Sequence, residues 1–155
     1  MAYQKLQTQR AIPVFPTDDV TVPSPSDLAA SGVSSAAPLF NSLVDSTASF
    51  SGKVKPGATI YNMTNSTAAT VVGVSDTTLT LSANIFFGSQ LYKVYNTDNS
   101  DGPVLYVGTG GTLSIITVGG DSVTLTNVAD GSFIPIMIGA VQNTGTSASG
   151  IIALW

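Results

Sequence analysis

Cysteine, histidine and glutamate are all absent from this chain of 155 residues, and lysine and arginine together number only five. Without cysteine there is no disulfide, no thiolate zinc site and no thiol nucleophile. Without histidine the usual general base and the commonest metal ligand are missing. Charged residues make up 9% of the chain, against about 25% in an ordinary soluble domain. The net charge of −4 and the pI near 4.2 oppose nucleic-acid binding, which needs a clustered basic surface. Lys53 and Lys55 are too few to make one. Long apolar runs are also missing: the longest, Phe133 to Val141, is broken by Pro135 and Gly139, so no membrane-spanning helix is expected. The opening "MAYQKLQTQR" has no apolar segment behind its basic residues, and a signal peptide is not expected either. The expectation is a soluble chain, made and used without secretion through a classical signal, with no membrane partner.

Hydroxyls take the place of the missing charge. There are 19 serines and 19 threonines beside 15 glycines, and hydrophobic residues reach 43%. Thr, Val and Ile favour pleated strands while Gly and Ser favour the turns between them, and the scarcity of Glu, Lys and Arg leaves few strong helix formers. A chain of this length makes one domain or two small ones, with roughly 68–70% of its unfolded surface buried.

Residues 1–49 read as an extended N-terminal arm. Pro13, Pro16, Pro23, Pro25 and Pro38 remove backbone donors and fix φ, which rules out a central strand or a long helix there. Asp27 to Ala30 carries a helical-turn signal with Ser26 or Asp27 as its cap. Period-2 alternation begins after Phe50: "TIYNMT" (59–64), "ATVVGV" (69–74), "TTLTLS" (77–82) and "LYKVYN" (91–96) read as strands, with a tight turn at Ser75-Asp76. The breaker "NTDNSDGP" (96–103) follows, and then "VLYVG", "TLSIITV", "DSVTLTN", "SFIPIMIGAVQ" and "GIIALW", with Gly119-Gly120 turning the chain between the second and third. The expected fold is all-β, an antiparallel β-sandwich or barrel, either whole or divided into a small β module at 50–97 and a second at 98–155. The chain ends on Ile151, Ile152, Ala153, Leu154 and Trp155 without a charged side chain. Burying an indole alone removes ~150–250 Å² from water, roughly 4–6 kcal/mol at ~25 cal/mol per Å². That strand should be covered on both faces, inside a sheet or at a subunit interface.

Several stretches invite a chemical reading. "GTGG" at Gly108 to Gly111 precedes a strand rather than a helix, so a plain turn is favoured over a phosphate cradle. "TDNSDG" (97–102) has Thr97 where a calcium loop needs its first Asp, and no Glu exists to close the site. Asp18 and Asp19 lie in the arm with nothing to desolvate them, which reads as loop charge. Asn62-Met63-Thr64 and Asn65-Ser66-Thr67 match the glycosylation pattern, as chance allows in so Asn- and Thr-rich a chain. Tyr61, Tyr92, Tyr95 and Tyr106 read as core or interface residues in preference to a sugar-stacking platform. No catalytic residue, cofactor or metal site is expected.

Residues 105 to 155, "LYVGTGGTLSIITVGGDSVTLTNVADGSFIPIMIGAVQNTGTSASGIIALW", resemble the spike-base family of tailed-phage and gene-transfer-agent heads. Members of that family run through "LYVG", a "GGD" hairpin, a proline among alternating apolar residues, a "TGT" segment and a terminal "IIALW" or close variant. The middle segment, from "GATIYN" to "LYKVY", is similar to a small β module of various phage structural proteins. The family passes from its arm directly to the "LYVG" strand, whereas residues 50–97 intervene here. The resemblance implies a virion structural protein on the capsid surface: a capsid decoration (cement) protein or a head-spike base. Its partners would be the major capsid protein, further copies of itself as a trimer or pentamer, and, for a spike base, a head fibre. The residues expected to carry assembly are Ile12, Val14, Phe15, Val20 and Val22 of the arm, ordered only against a partner, and Ile151, Ile152, Leu154 and Trp155 of the closing strand. The competing reading is a carbohydrate- or receptor-binding module of a tail or host-attachment apparatus, using Tyr61, Tyr92, Tyr95 and "TDNSDG".

Overall fold

The computed structural model describes residues 8–35, 39–98 and 101–155. Within them the protein is all-β and antiparallel, without an α-helix. The strands are β1 (Ala11–Pro13), β2 (Leu28–Val33), β3 (Ser42–Val44), β4 (Thr59–Asn62), β5 (Thr67–Val74), β6 (Thr78–Leu81), β7 (Leu91–Tyr95), β8 (Val104–Thr109), β9 (Gly111–Thr117), β10 (Ser122–Val128), β11 (Ser132–Ile134), β12 (Ile138–Val141) and β13 (Ser149–Leu154).

They form two compact units. One takes residues 26–98; the other takes the described residues up to Pro25 together with 101–155. This division departs from the expected arm (1–49) and modules (50–97, 98–155). Residues 26–49 belong to the middle unit because β2 pairs with β7 and β3 with β6. The helical turn expected at Asp27 to Ala30 is replaced by a 3-10 turn at Pro25–Asp27 running straight into β2. Pairing with β7 satisfies that backbone better than an isolated turn could.

The 26–98 unit is one six-stranded sheet in the order β2-β7-β4-β5-β6-β3. Its two edges curl back towards each other, and Ser35 N–H donates to Val44 O at 2.6 Å. The curl closes over Leu43, Phe50, Ile60, Val71, Leu79 and Val94, all without exposed surface. In β6 the leucines Leu79 and Leu81 are buried while Thr80 between them is exposed, the alternation of a strand with one covered face. The tight turn expected at Ser75-Asp76 falls one residue on, at Asp76-Thr77, closed by Ser75 N–H on Thr78 O at 2.9 Å.

The other unit holds a four-stranded sheet, β1-β13-β8-β11, and a three-stranded sheet, β10-β9-β12. β8 passes almost directly into β9, so one run of chain feeds both sheets through "GTGG". That segment cradles nothing: a Cβ on Gly110 would lie 2.0 Å from Val128 O, and Gly110 N–H is held by Asp130 Oδ1 at 2.6 Å. Glycine is required there because two backbones meet.

The arm closes this unit. β1 pairs with β13, setting Ile12 opposite Ala153 and Pro13 opposite Ile152. Val14 N–H continues the ladder to Ile151 O at 2.9 Å. The chain then crosses to the other sheet, where Thr17 N–H reaches Val141 O at 3.1 Å and Val22 N–H reaches Gly139 O at 2.9 Å. The expectation that these residues become ordered only against a partner is corrected: β13 and β12 of the same chain supply free edges, and Ile12, Val14 and Val20 are buried on them. Proline had excluded a central strand, and β1 is an edge strand, where Pro13 is tolerated.

Candidate assembly face

Register determines which side chains share the outer face of the four-stranded sheet. Ile151 and Ala153 of β13 and Leu105 and Val107 of β8 point inward and are buried. Their neighbours alternate outward. One outer row then runs Pro13, Ile152, Tyr106, Phe133 across four strands, and the adjacent row runs Ala11, Leu154, Val104. Not one of these side chains is charged. Ala11, Pro13 and Phe133 are exposed, Phe133 to 49%, and the others are half-buried. A continuous apolar face across a whole sheet is the kind of surface that marks a protein contact.

Both ends of the chain build this face, but the residues singled out in sequence divide between two roles. Ile12, Val14, Val20 and Ile151 are buried within their own unit, and Phe15 and Val22 are half-buried along the arm. Ile152 and Leu154 lie on the outer face. Trp155 is pinned at its rim: its N–H donates to Arg10 O at 2.9 Å, and its indole Nε1 donates to Asp101 O at 3.1 Å. Tyr106, read in sequence as a core or interface residue, lies on the face, and Phe133 and Val104 join it through register, with no local signal in the sequence to mark them.

The remaining candidates are absorbed by structure. Asp18 Oδ1 and Oδ2 accept from Thr144 N and Oγ1 at 2.9 and 2.7 Å, an exposed clamp between the arm and the 142–148 loop. The Thr144 hydroxyl first, and then its amide, hold the Asp18 carboxyl below its usual range. Tyr61, Tyr92 and Tyr95 are at most 3% exposed. Tyr61 and Tyr95 meet edge to face at 5.7 Å, so the tyrosine surface of the sugar-binding reading is not available. In "TDNSDG", Asp98 is paired with Lys55 Nζ at 2.8 Å, while Asn99 and Ser100 lie outside the described residues. No group of acids able to hold a metal occurs among the described residues. Asn62 is fully buried, with Nδ2 donating to Ile85 O and to Gln90 Oε1 at 2.7 and 3.0 Å. Its acceptor pattern is that of a structural bracket, closed to a glycan.

A cavity of about 720 Å³ opens between β2 and the 45–50 segment. Its floor is the pair Tyr92 Oη to Asp45 Oδ2 at 2.7 Å. Burial pushes Asp45 up, but hydrogen bonds from Thr47 Oγ1 (2.6 Å), Tyr92 and the Thr47 amide (2.9 Å) outweigh it and leave the carboxyl below its usual value. Burial, reinforced by the Asp45 carboxylate, raises the Tyr92 phenol well above its ordinary range. Asp45 is thus ionised and Tyr92 protonated at neutral pH, the phenol donating to the carboxylate. A carboxyl depressed in the folded state adds stability above its unfolded value of 3.8, and that stability is lost as pH falls through the lower folded value. Thermal unfolding followed from pH 5 downward should therefore show the 26–98 unit weakening below about pH 4, and Asp45→Asn should flatten that dependence.

Comparison with protein-family models, curated proteins and solved structures returns no match.

Proposed function

We propose that the chain is a virion structural protein of a tailed phage, a capsid decoration or head-spike base protein that docks on the capsid surface. The observation that carries this reading is the uncharged outer face of the β1-β13-β8-β11 sheet. Its strands β8 and β13 contain the "LYVG" segment and the "IIAL" of the "IIALW" segment of the spike-base resemblance. The occupant proposed for the face is the major capsid protein. An apolar sheet face without charge suits repeated close packing, and the Ser/Thr-rich remainder keeps the chain hydrated. The absence of histidine and cysteine from the sequence fits a protein that binds without reacting.

Mass spectrometry of purified particles should find the chain, and electron microscopy should place it on the shell. Phe133→Asp and Ile152→Asp each put a carboxylate on the face without touching the inner core. Each should lower occupancy about tenfold or more, the equivalent of ~1.4 kcal/mol. Particles that lack the chain, or that bind both variants as well as the parent, would overturn the reading.

A further inference from the structure

The unit's other sheet ends on a strand of a different kind. β10 is seven residues long, its sequence "SVTLTNV" has no charge and no proline, and every residue in it is exposed or half-buried. It lies at the edge of β10-β9-β12. Protein edges are ordinarily blunted by proline, by charge, by shortness or by a cover. In this unit β1 carries Pro13, β11 has three residues and is followed by Pro135, and β12 is laced by Thr17 and Val22 of the arm. β10 has none of these, apart from a register shift beyond Leu125.

The free groups of β10 can be named. Thr117 N–H donates to Asp121 O, so in an antiparallel ladder the backbone groups of Val123 and Leu125 also turn towards β9. Those of Ser122 and Thr124 turn away from it. Ser114 O, opposite Thr124, accepts from Gln142 N–H on the far side of β9, as the same alternation requires. The side chains repeat the theme. Val123 and Leu125 lie across from Ile115 and Leu113, which are fully buried, yet Val123 is 37% exposed. The inner apolar row of the sheet thus overhangs the core at β10.

We propose that β10 is a self-pairing edge, joining two copies of this chain antiparallel about a two-fold axis at Val123. Ser122 and Thr124 of one copy then exchange backbone hydrogen bonds with Thr124 and Ser122 of the other. The overhanging valines meet on the inner face and hydroxyls meet on the outer one, so the strand is its own complement. An axis nearer Leu125 would use the irregular backbone at Asn127, whose φ is 54°. An axis at Ser122 would bring the two Asp121 carboxylates close. With the axis at Val123 each Asp121 faces Leu125 of the other copy, so the two acids stand four residues apart along the ladder, ~13 Å at ~3.3 Å per residue. That exceeds the ~8–10 Å screening length of ordinary buffers.

The readout is the purified full chain alone, so it does not depend on the capsid reading. Sedimentation equilibrium should show a dimer. Thr124→Pro removes an outward N–H without removing a bond to β9 and should weaken dimerisation about tenfold or more. Because the chain has no native cysteine, Val123→Cys offers a second test: mild oxidation should yield a disulfide-linked dimer, whereas Asn65→Cys in the 26–98 unit should not. A monomer at every concentration, an odd-numbered oligomer, a dimer indifferent to Thr124→Pro, or a Val123→Cys chain that fails to cross-link would each overturn the pairing.

Discussion

Deletion of residues 1–24 should leave residues 104–154 without a cooperative fold while the 26–98 unit stays folded. The arm brings three buried side chains to the unit it closes, Ile12, Val14 and Val20. At ~1.5–3 kcal/mol each they contribute roughly 5–9 kcal/mol, comparable with the whole ~5–15 kcal/mol stability of a domain. Their removal also strips hydrogen-bond partners from the edges of β13 and β12. Hydrogen exchange read by mass spectrometry checks this directly. Protection should vanish across β8, β9, β12 and β13 and persist across β4 to β7, which surround their own core of Leu43, Phe50, Ile60 and Val71. Unchanged protection in β13 would mean that the arm is an accessory to this unit and not part of it.

Asn62→Ala should cost about 3–5 kcal/mol, because one fully buried side chain serves four partners. Besides donating to Ile85 O and Gln90 Oε1, Asn62 accepts at Oδ1 from Thr64 and Asn65 N–H at 3.0 and 3.1 Å. Gln90 Oε1 also accepts from Phe87 N–H at 2.9 Å, and Gln90 N–H donates to Ser34 Oγ at 3.0 Å. The loss therefore reaches the 85–90 loop and the end of β2. Truncation leaves buried donors and acceptors unpaired, which is dearer than never having formed the bonds. Urea titration gives the value, and a cost under about 1 kcal/mol would show that the loop re-pairs without Asn62. Asn62→Asp keeps the acceptors, loses both donors and buries a charge, so it should not rescue.

How far the sequence could be read differs from element to element, for physical reasons. β4 to β10 and β13 lie at the stretches that read as strands, because alternation with a period of two is a local property of a strand. Where "SFIPIMIGAVQ" read as a single strand, the structure has β11 and β12 separated at Pro135 to Met137, since proline cannot donate to the ladder. β1, β2 and β3 carry no such pattern: each is an edge strand whose partner lies far away in sequence, as Ile12 does from Ala153. Asn62 matched a glycosylation pattern, and its role as a bracket became visible only when Ile85 and Gln90 arrived beside it.

Composition and local periodicity by themselves determined that this protein is all-β, poor in charge and without cysteine, histidine or glutamate, because those properties depend on which residues are present and on their nearest neighbours. Tertiary structure alone decided that the proline-bearing arm completes its own unit, that Phe133, Tyr106 and Ile152 share one outer row, and that β10 is left with an open edge. Those outcomes depend on strand order and register, which are set by pairing across tens to more than a hundred residues, where no local pattern reaches.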